Sequence, residues 1–257
     1  MASFSSSPLG HASSPRPTCA TSLRPRRAAR SPTRSVSSMP VFPPLPDTIK
    51  AVLFDFGGVF TPSPFAVVRA AAIDLGVSEQ VAVELCFGPY AEDGDHPWHR
   101  LERGEVTLDV AHQELLALAS AAGVQLDVFE VLAKLGREDD DRVVVVERVR
   151  ALRRAGYRTA MVTNNISEFG DGWRQLIPVD ELFEVVVDSC QVGMRKPDPR
   201  IFRLALDQLN GVRPEQAVFL DDFEAHVAGA RRIGMHGILV GEDRADALAQ
   251  LDSLLAA

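Results

Sequence analysis

Long apolar runs are missing from this 257-residue chain. None approaches the ~18 consecutive residues that a membrane-spanning helix needs, so no membrane association is expected. Cysteine is nearly missing too: Cys19, Cys86 and Cys190 are odd in number and far apart. That excludes a disulfide framework and the paired spacing of a zinc site, and it predicts a reducing compartment. The six histidines form no ligand pattern; His96 and His99 flank Pro97-Trp98 and read as a loop pair. Acids are absent from residues 1–46, which hold six arginines. The remainder therefore carries 21 basic and 35 acidic side chains, a formal charge of −14. An acidic body argues against nucleic acid as a partner.

Residues 1–46 are rich in Ser, Pro, Arg and Ala, with few large apolar side chains. Such a segment buries too little surface to offset its ordering entropy. Its composition also suits an organelle transit peptide. Alternatively Met39 is the true start. The few lysines (Lys50, Lys134, Lys196 against 24 arginines) hint at a GC-rich coding sequence and leave both readings open. Localisation is accordingly read as cytoplasmic, or as plastid or mitochondrial if the leader is a transit peptide.

What is present is enough apolar residue, 46%, for one large domain or a core with a small partner. The organising stretch is Ala51-Val52-Leu53-Phe54-Asp55-Phe56-Gly57-Gly58-Val59-Phe60. A short apolar run bounded by turn residues reads as a buried parallel strand. An ionised Asp55 inside it, unpaired, would cost several kcal/mol in desolvation. Asp55 is therefore expected at the strand's carboxyl end, where open α/β sheets hold ligands. Gly57 and Gly58 would let the backbone bend and approach a ligand. A strand cap followed by a turn is the plainer alternative.

Thr61-Pro62-Ser63-Pro64 reads as a stiff loop. Helices are expected over Phe65–Leu75, capped by Gly76, over Ser78–Phe87, over Thr107–Ala122 and over Asp127–Leu135. Residues 88–99 read as a loop and 101–105, Leu-Glu-Arg-Gly-Glu, as a charged turn. No strand signal appears between 65 and 142, so 65–149 is expected to be a helical block inserted after the first strand. Val143–Ala155 could be a strand by propensity. Its four arginines, the closing Gly156 and the acids Asp139-Asp140-Asp141 ahead of it favour a helix. Strands then follow at Tyr157–Thr163, Phe183–Asp188, Gln216–Leu220 and Gly237–Val240. Helices are expected over 171–177, Asp198–Asn210, Phe223–Ile233 and Asp243–Leu255. This alternation predicts an α/β fold, a Rossmann-like doubly wound parallel sheet built from 47–64 and 150–257.

The strand ends carry a recurring chemistry. Strand one gives Asp55, strand two Thr163 and Asn164, the loop after strand three Lys196, and strand four Asp221 and Asp222. In a parallel sheet these ends share one edge. Taken alone, Asp221-Asp222 would read as a turn and helix cap. Three carboxylates and a phosphate dianion carry five negative charges. Lys196 and one Mg²⁺ would remove three, with backbone amides taking up part of the rest. A hard, oxygen-liganded cation is thus implied by the acids themselves.

At residues 50–257 the chain resembles the haloacid dehalogenase (HAD) superfamily of phosphohydrolases. Its four motifs stand here as 54–59 (Phe-Asp-Phe-Gly-Gly-Val), 162–165 (Val-Thr-Asn-Asn), 193–199 (Gly-Met-Arg-Lys-Pro-Asp-Pro) and 219–222 (Phe-Leu-Asp-Asp). Gly-Gly-Val, Thr-Pro-Ser-Pro and Leu-Glu-Arg-Gly-Glu look most like the amino-terminal phosphatase domain of soluble epoxide hydrolases. The resemblance implies Asp55 as a nucleophile forming an aspartyl-phosphate. It implies Thr163 and Asn164 on the phosphoryl oxygens and Lys196 neutralising charge. Mg²⁺ would lie on Asp55, Asp222 and the carbonyl of Gly57, with Asp221 in support. The helical block would be a cap choosing a small phosphorylated metabolite, with 101–105 as a substrate-facing candidate.

The sequence departs from the family two residues after the nucleophile, where most members carry an acid and this chain has Gly57. General acid–base help is worth about 10²–10⁴-fold. Slow turnover, a good leaving group, or an acid from the cap (Asp93, Asp95, Glu102, Glu105) would each accommodate the loss. Two alternatives stand beside the phosphatase: a phosphate-binding or regulatory protein, and a 2-haloacid dehalogenase-type hydrolase. The second needs no metal, against which the acid pair at 221–222 argues.

Overall fold

The computed structural model describes residues 48–135, 141–170 and 172–256. Expectations for the leader, for Met39 and for Asp139 and Asp140 fall outside the described residues. Five runs form one parallel sheet: β1 (Ala51–Phe54), β2 (Arg158–Thr163), β3 (Val185–Asp188), β4 (Ala217–Asp221) and β5 (His236–Leu239). Their order is β3-β2-β1-β4-β5. The helices, in chain order, are α1 (Pro64–Leu75), α2 (Glu79–Phe87), α3 (Pro97–Glu102), α4 (Leu108–Ala121), α5 (Val128–Leu132), α6 (Asp141–Arg154), α7 (Val179–Leu182), α8 (Ser189–Val192), α9 (Pro199–Gln208), α10 (Glu224–Arg232) and α11 (Arg244–Leu255). Among the described residues, none is long and apolar enough to cross a membrane.

Strand β1 is wholly buried, as an apolar run without alternation requires in a sheet covered on both faces. Val52 and Phe54 join Val145, Val149 and Leu152 of α6 and Leu251 of α11 on one face. Ala51 and Leu53 join Ile201, Phe202 and Ala205 of α9 on the other. Each large side chain so buried stabilises the fold by about 1.5–3 kcal/mol. The alternating pattern thus closes into the doubly wound sheet that it predicts. Helices α1 to α5 gather round a separate apolar cluster centred on Phe65, Phe87, Trp98, Leu101 and Leu115.

Val143–Val146 lie in helix α6, not a strand. Val145 and Val146 are buried in the core while Val143 and Val144 are exposed, a period that only a helix gives. Two local expectations need correction. Residues 97–102, read as the end of a loop and the start of a charged turn, form α3. Pro97 occupies its first turn, the one helical position where a missing N–H costs nothing, and His96 Nδ1 accepts from Trp98 N at 3.3 Å. The expected helix over 171–177 is only a 3₁₀ turn at Trp173–Gln175, and α7 follows after Pro178, which interrupts the chain between them.

Candidate active site

Register brings the site together. Phe54 pairs with Leu220 across β1 and β4, and Asp55 N donates to Leu220 O at 2.9 Å. The next step along each strand therefore sets Asp55 beside Asp221. On the other side of β1, β2 ends on Thr163, which faces the same chamber as Asp55.

Lys196 lies between the acids. Its Nζ is 2.7 Å from Asp55 Oδ1 and 2.6 Å from Asp221 Oδ2, and it is 0% exposed. Burial alone would lower the Lys196 ammonium, but Asp221 and Asp55 outweigh it and hold it above its ordinary value. Asp55 Oδ1 also accepts from Phe56 N at 2.7 Å. Burial pushes the Asp55 carboxyl up to about 6 against the pull of Lys196, with Asp221 adding to the rise. Burial likewise raises Asp221, opposed by Lys196. Asp222 is pushed up to about 8, by burial and then by Asp221 and Asp55. Among the described residues its hydrogen-bond partner is the Ser63 hydroxyl.

That imbalance is the test of a metal. Among the described residues one ammonium faces three carboxylates, and no ion pair reaches Asp222. A divalent cation at Asp55 and Asp222 would supply the missing charge, and oxygen donors suit Mg²⁺. Asp55, Asp221 and His226 also cluster within ligand distance of one another. The Lys196 ammonium already bridges those two carboxylates, so this second grouping is the less favourable place for a cation. Gly57 lines the chamber beside Asp55. Gly58 has φ +69°, and a Cβ there would lie 2.1 Å from Asp222 Cγ, so glycine is what lets the 55–58 turn meet Asp222.

Asn164 is engaged with Lys196. Its Oδ1 accepts from Lys196 N at 2.7 Å, and its Nδ2 donates to Lys196 O at 3.1 Å. The Thr163 hydroxyl has no hydrogen-bond partner among the described residues. Asn165 donates to Asp188 Oδ2 at 3.0 Å and takes Ser189 Oγ on its N–H at 2.9 Å.

The four cap acids separate clearly. Glu105 pairs outward with Arg103 at 2.7 Å, Asp95 lies 3.8 Å from Arg100 in solvent, and Asp93 pairs with Arg103. Glu102 alone lines the chamber. It accepts from Tyr90 Oη, from Trp98 Nε1 at 2.9 Å and from Arg195 Nε at 2.7 Å. Three groups escaped the sequence reading. His226 is buried with Nδ1 3.1 Å from both Asp221 oxygens, and burial, then Lys196, hold it well below its ordinary value. Its one signal is its place one helical turn past the acid pair. Arg195 and Ser63 sit inside motifs but carried no periodicity of their own.

The chamber above the acids holds about 520 Å³. Asp55, Thr163 and Asp222 form its polar floor, and Phe56, Phe65, Trp98, Phe169, Trp173 and Leu176 are among its apolar walls.

Several known proteins are similar to this chain. Acyl-CoA dehydrogenase family member 10 of Mus musculus is 35% identical over 80% of this chain, and Bifunctional epoxide hydrolase 2 of Rattus norvegicus 27% over 80%. This chain spans only 19% and 39% of those two proteins. Phosphatase MT3486 of Mycobacterium tuberculosis is 34% identical, with 80% of this chain and 95% of that protein covered. A predicted HAD-like family hydrolase from Porphyromonas gingivalis superposes with a TM-score of 0.53 at 25% identity, covering 79% of this chain and 98% of that one. The haloacid dehalogenase-like hydrolase model matches residues 49–234, more than half of the chain, and with these relatives it makes this protein a member of the haloacid dehalogenase-like hydrolase family.

Proposed function

We propose that this hydrolase removes the phosphate from a small phosphate monoester, through an aspartyl-phosphate at Asp55. The observation that carries the reading is the buried Lys196 ammonium against Asp55 and Asp221, with Asp222 left short of positive charge. The M. tuberculosis relative, matched over most of its length, is a phosphatase.

Asp55 Oδ1 is tied to Lys196 and to Phe56 N, which leaves Oδ2 to attack phosphorus. The bond from phosphorus to the ester oxygen breaks, and that oxygen departs with the electron pair as an alkoxide or phenolate, which takes its proton from water. Water then hydrolyses the acyl phosphate and frees Asp55. Lys196 offsets charge on the nucleophile and the phosphoryl group. Thr163, at the end of β2, would donate to the phosphoryl oxygens with Asn164, whose side chain also holds the Lys196 peptide in place. Mg²⁺, held by Asp55, Asp222 and the carbonyl of Gly57 with Asp221 in support, would supply further charge stabilisation. Helices α1 to α5 act as a cap over this floor. The aromatic walls fit an ester with an apolar organic part.

Phosphate release from p-nitrophenyl phosphate, with and without Mg²⁺, tests the reading. Turnover should need Mg²⁺ and vanish in Asp55→Asn, and equal rates for the two proteins would end it. Phosphates of straight-chain alcohols test the apolar wall. Each CH₂ that reaches it is worth ~0.8 kcal/mol, or about fourfold in kcat/KM, and a flat series would remove that part. Gly57 favours a second reading, a phosphate-binding protein with little turnover. Tight phosphate binding with no release from a broad ester panel would select it. Asp222 weighs against carbon–halogen hydrolysis, which needs no metal, and halide release from a 2-haloacid would decide that case.

A further inference from the structure

Glu102 belongs to the helical block, yet its carboxylate reaches into the sheet's catalytic edge. Its partner Arg195 is wholly buried, with Nε 2.7 Å from Glu102 Oε2 and its guanidinium 4.3 Å above the Tyr90 ring. Arg195 Nη1 also reaches Glu92 O at 3.3 Å, within the 88–96 connection of the same block. Burying such a pair costs desolvation that the attraction rarely repays, so it is poorly explained as a source of stability. Both oxygens are already engaged: Oε1 accepts from Tyr90 and Trp98, and Oε2 accepts from Arg195 and, at 3.5 Å, from Asn164 Nδ2, so the carboxylate is held by its neighbours rather than turned to a leaving oxygen.

The geometry leads instead to Lys196. Arg195 is its covalent neighbour. The one amide of Asn164 takes both the N–H and the C=O of Lys196. That amide also donates to Tyr90 Oη at 3.3 Å, and Tyr90 in turn donates to Glu102. The peptide that aims Lys196 is thus gripped from two sides by groups that converge on one carboxylate of the block. Close by, Gly104 packs so tightly on the core that a Cβ would lie 2.6 Å from Cys190 O.

We propose that Glu102 and Arg195 are positioning residues, a buried strut through which the seated helical block sets the Lys196 peptide and hence the ammonium between Asp55 and Asp221. The strut rests on the phosphatase reading for its catalytic consequence, but not for its structural one. Seating the block then does two things at once: it walls the chamber and it aims the lysine.

The test uses the full chain as Glu102→Gln, Arg195→Met and the double variant, which leaves no unpaired buried charge. Turnover of p-nitrophenyl phosphate with Mg²⁺ should show kcat down by about tenfold or more with KM changed less than about threefold, the mark of misplacement. The double variant should be no slower than the worse single one, because the two act as a unit. Amide hydrogen exchange over 194–198 should quicken in all three, and inorganic phosphate should bind more weakly. Unchanged kcat in folded variants, losses that multiply, or unaltered exchange over 194–198 would overturn the strut. If the wild type releases no phosphate, the phosphatase reading fails, while exchange and inorganic phosphate affinity still decide the strut.

Discussion

Oδ1 of Asp55 and the ammonium of Lys196 lie 2.7 Å apart, and Lys196 has no contact with solvent. The same ammonium is 2.6 Å from Asp221, so a single positive charge holds two buried acids in place. Lys196→Met should abolish turnover and destabilise the fold by about 3–5 kcal/mol, because it leaves buried carboxylates uncompensated. Lys196→Arg should not rescue it, since a planar fork cannot replace a point charge in an enclosed position. Phosphate release and a urea titration check both parts, and an active, stable Lys196→Met would contradict them.

Asp222 has the Ser63 hydroxyl as its partner and two carboxylates as neighbours. A cation that binds only the folded state raises the melting temperature by mass action. Mg²⁺ in excess is therefore expected to raise the Tm of the wild type and to leave that of Asp222→Asn unmoved. Thermal scans with added Mg²⁺ and with EDTA make the comparison. An equal shift in both proteins would place the cation elsewhere.

The fold could be read from the chain because its signals are local. The 51–54 run, the arginines and closing Gly156 that mark Val143–Ala155 as a helix, and the Ser78 cap each respond to short-range rules. The strand ends were legible for a related reason: in a parallel sheet, chain position fixes which edge a residue reaches. What could not be read were partners distant in sequence. Glu102 and Arg195 are 93 residues apart, and neither has a pattern that points to the other. Residues 101–105 read as a charged turn because three of five are ionisable. Only the fold separates buried Glu102 from outward Arg103 and Glu105.

Asp127 caps α5 through Phe129 N at 2.9 Å and meets His112 Nε2 at 2.8 Å. Burial would raise its carboxyl, but the bonds from His112 and the two amides outweigh this and hold it below the ordinary value. A depressed carboxyl contributes stability that is present above its unfolded value of about 3.9 and lost as pH falls through the folded one. Asp127→Ala should cost about 1 kcal/mol near neutral pH. The gap in Tm between variant and wild type should narrow as the pH falls below about 4. A gap that stays constant down to acid pH would mean that the ionised cap contributes nothing.

Gly57 and Gly58 are neighbours with opposite tolerances. A Cβ on Gly58 would sit 2.1 Å from Asp222 Cγ on a backbone at φ +69°, so Gly58→Ala should lose both activity and the Mg²⁺-dependent rise in Tm. A Cβ on Gly57 would meet only Pro64, no nearer than 3.7 Å, and the chamber lies beside it. Gly57→Asp therefore puts an acid two residues after Asp55 without strain. A phenolate leaves without a proton, whereas an alkoxide does not. Turnover of alkyl phosphates should rise by about 10²-fold, with p-nitrophenyl phosphate little changed. Parallel rates on the two ester classes measure this, and an equal change on both would mean that position 57 withholds something other than a proton for the leaving oxygen.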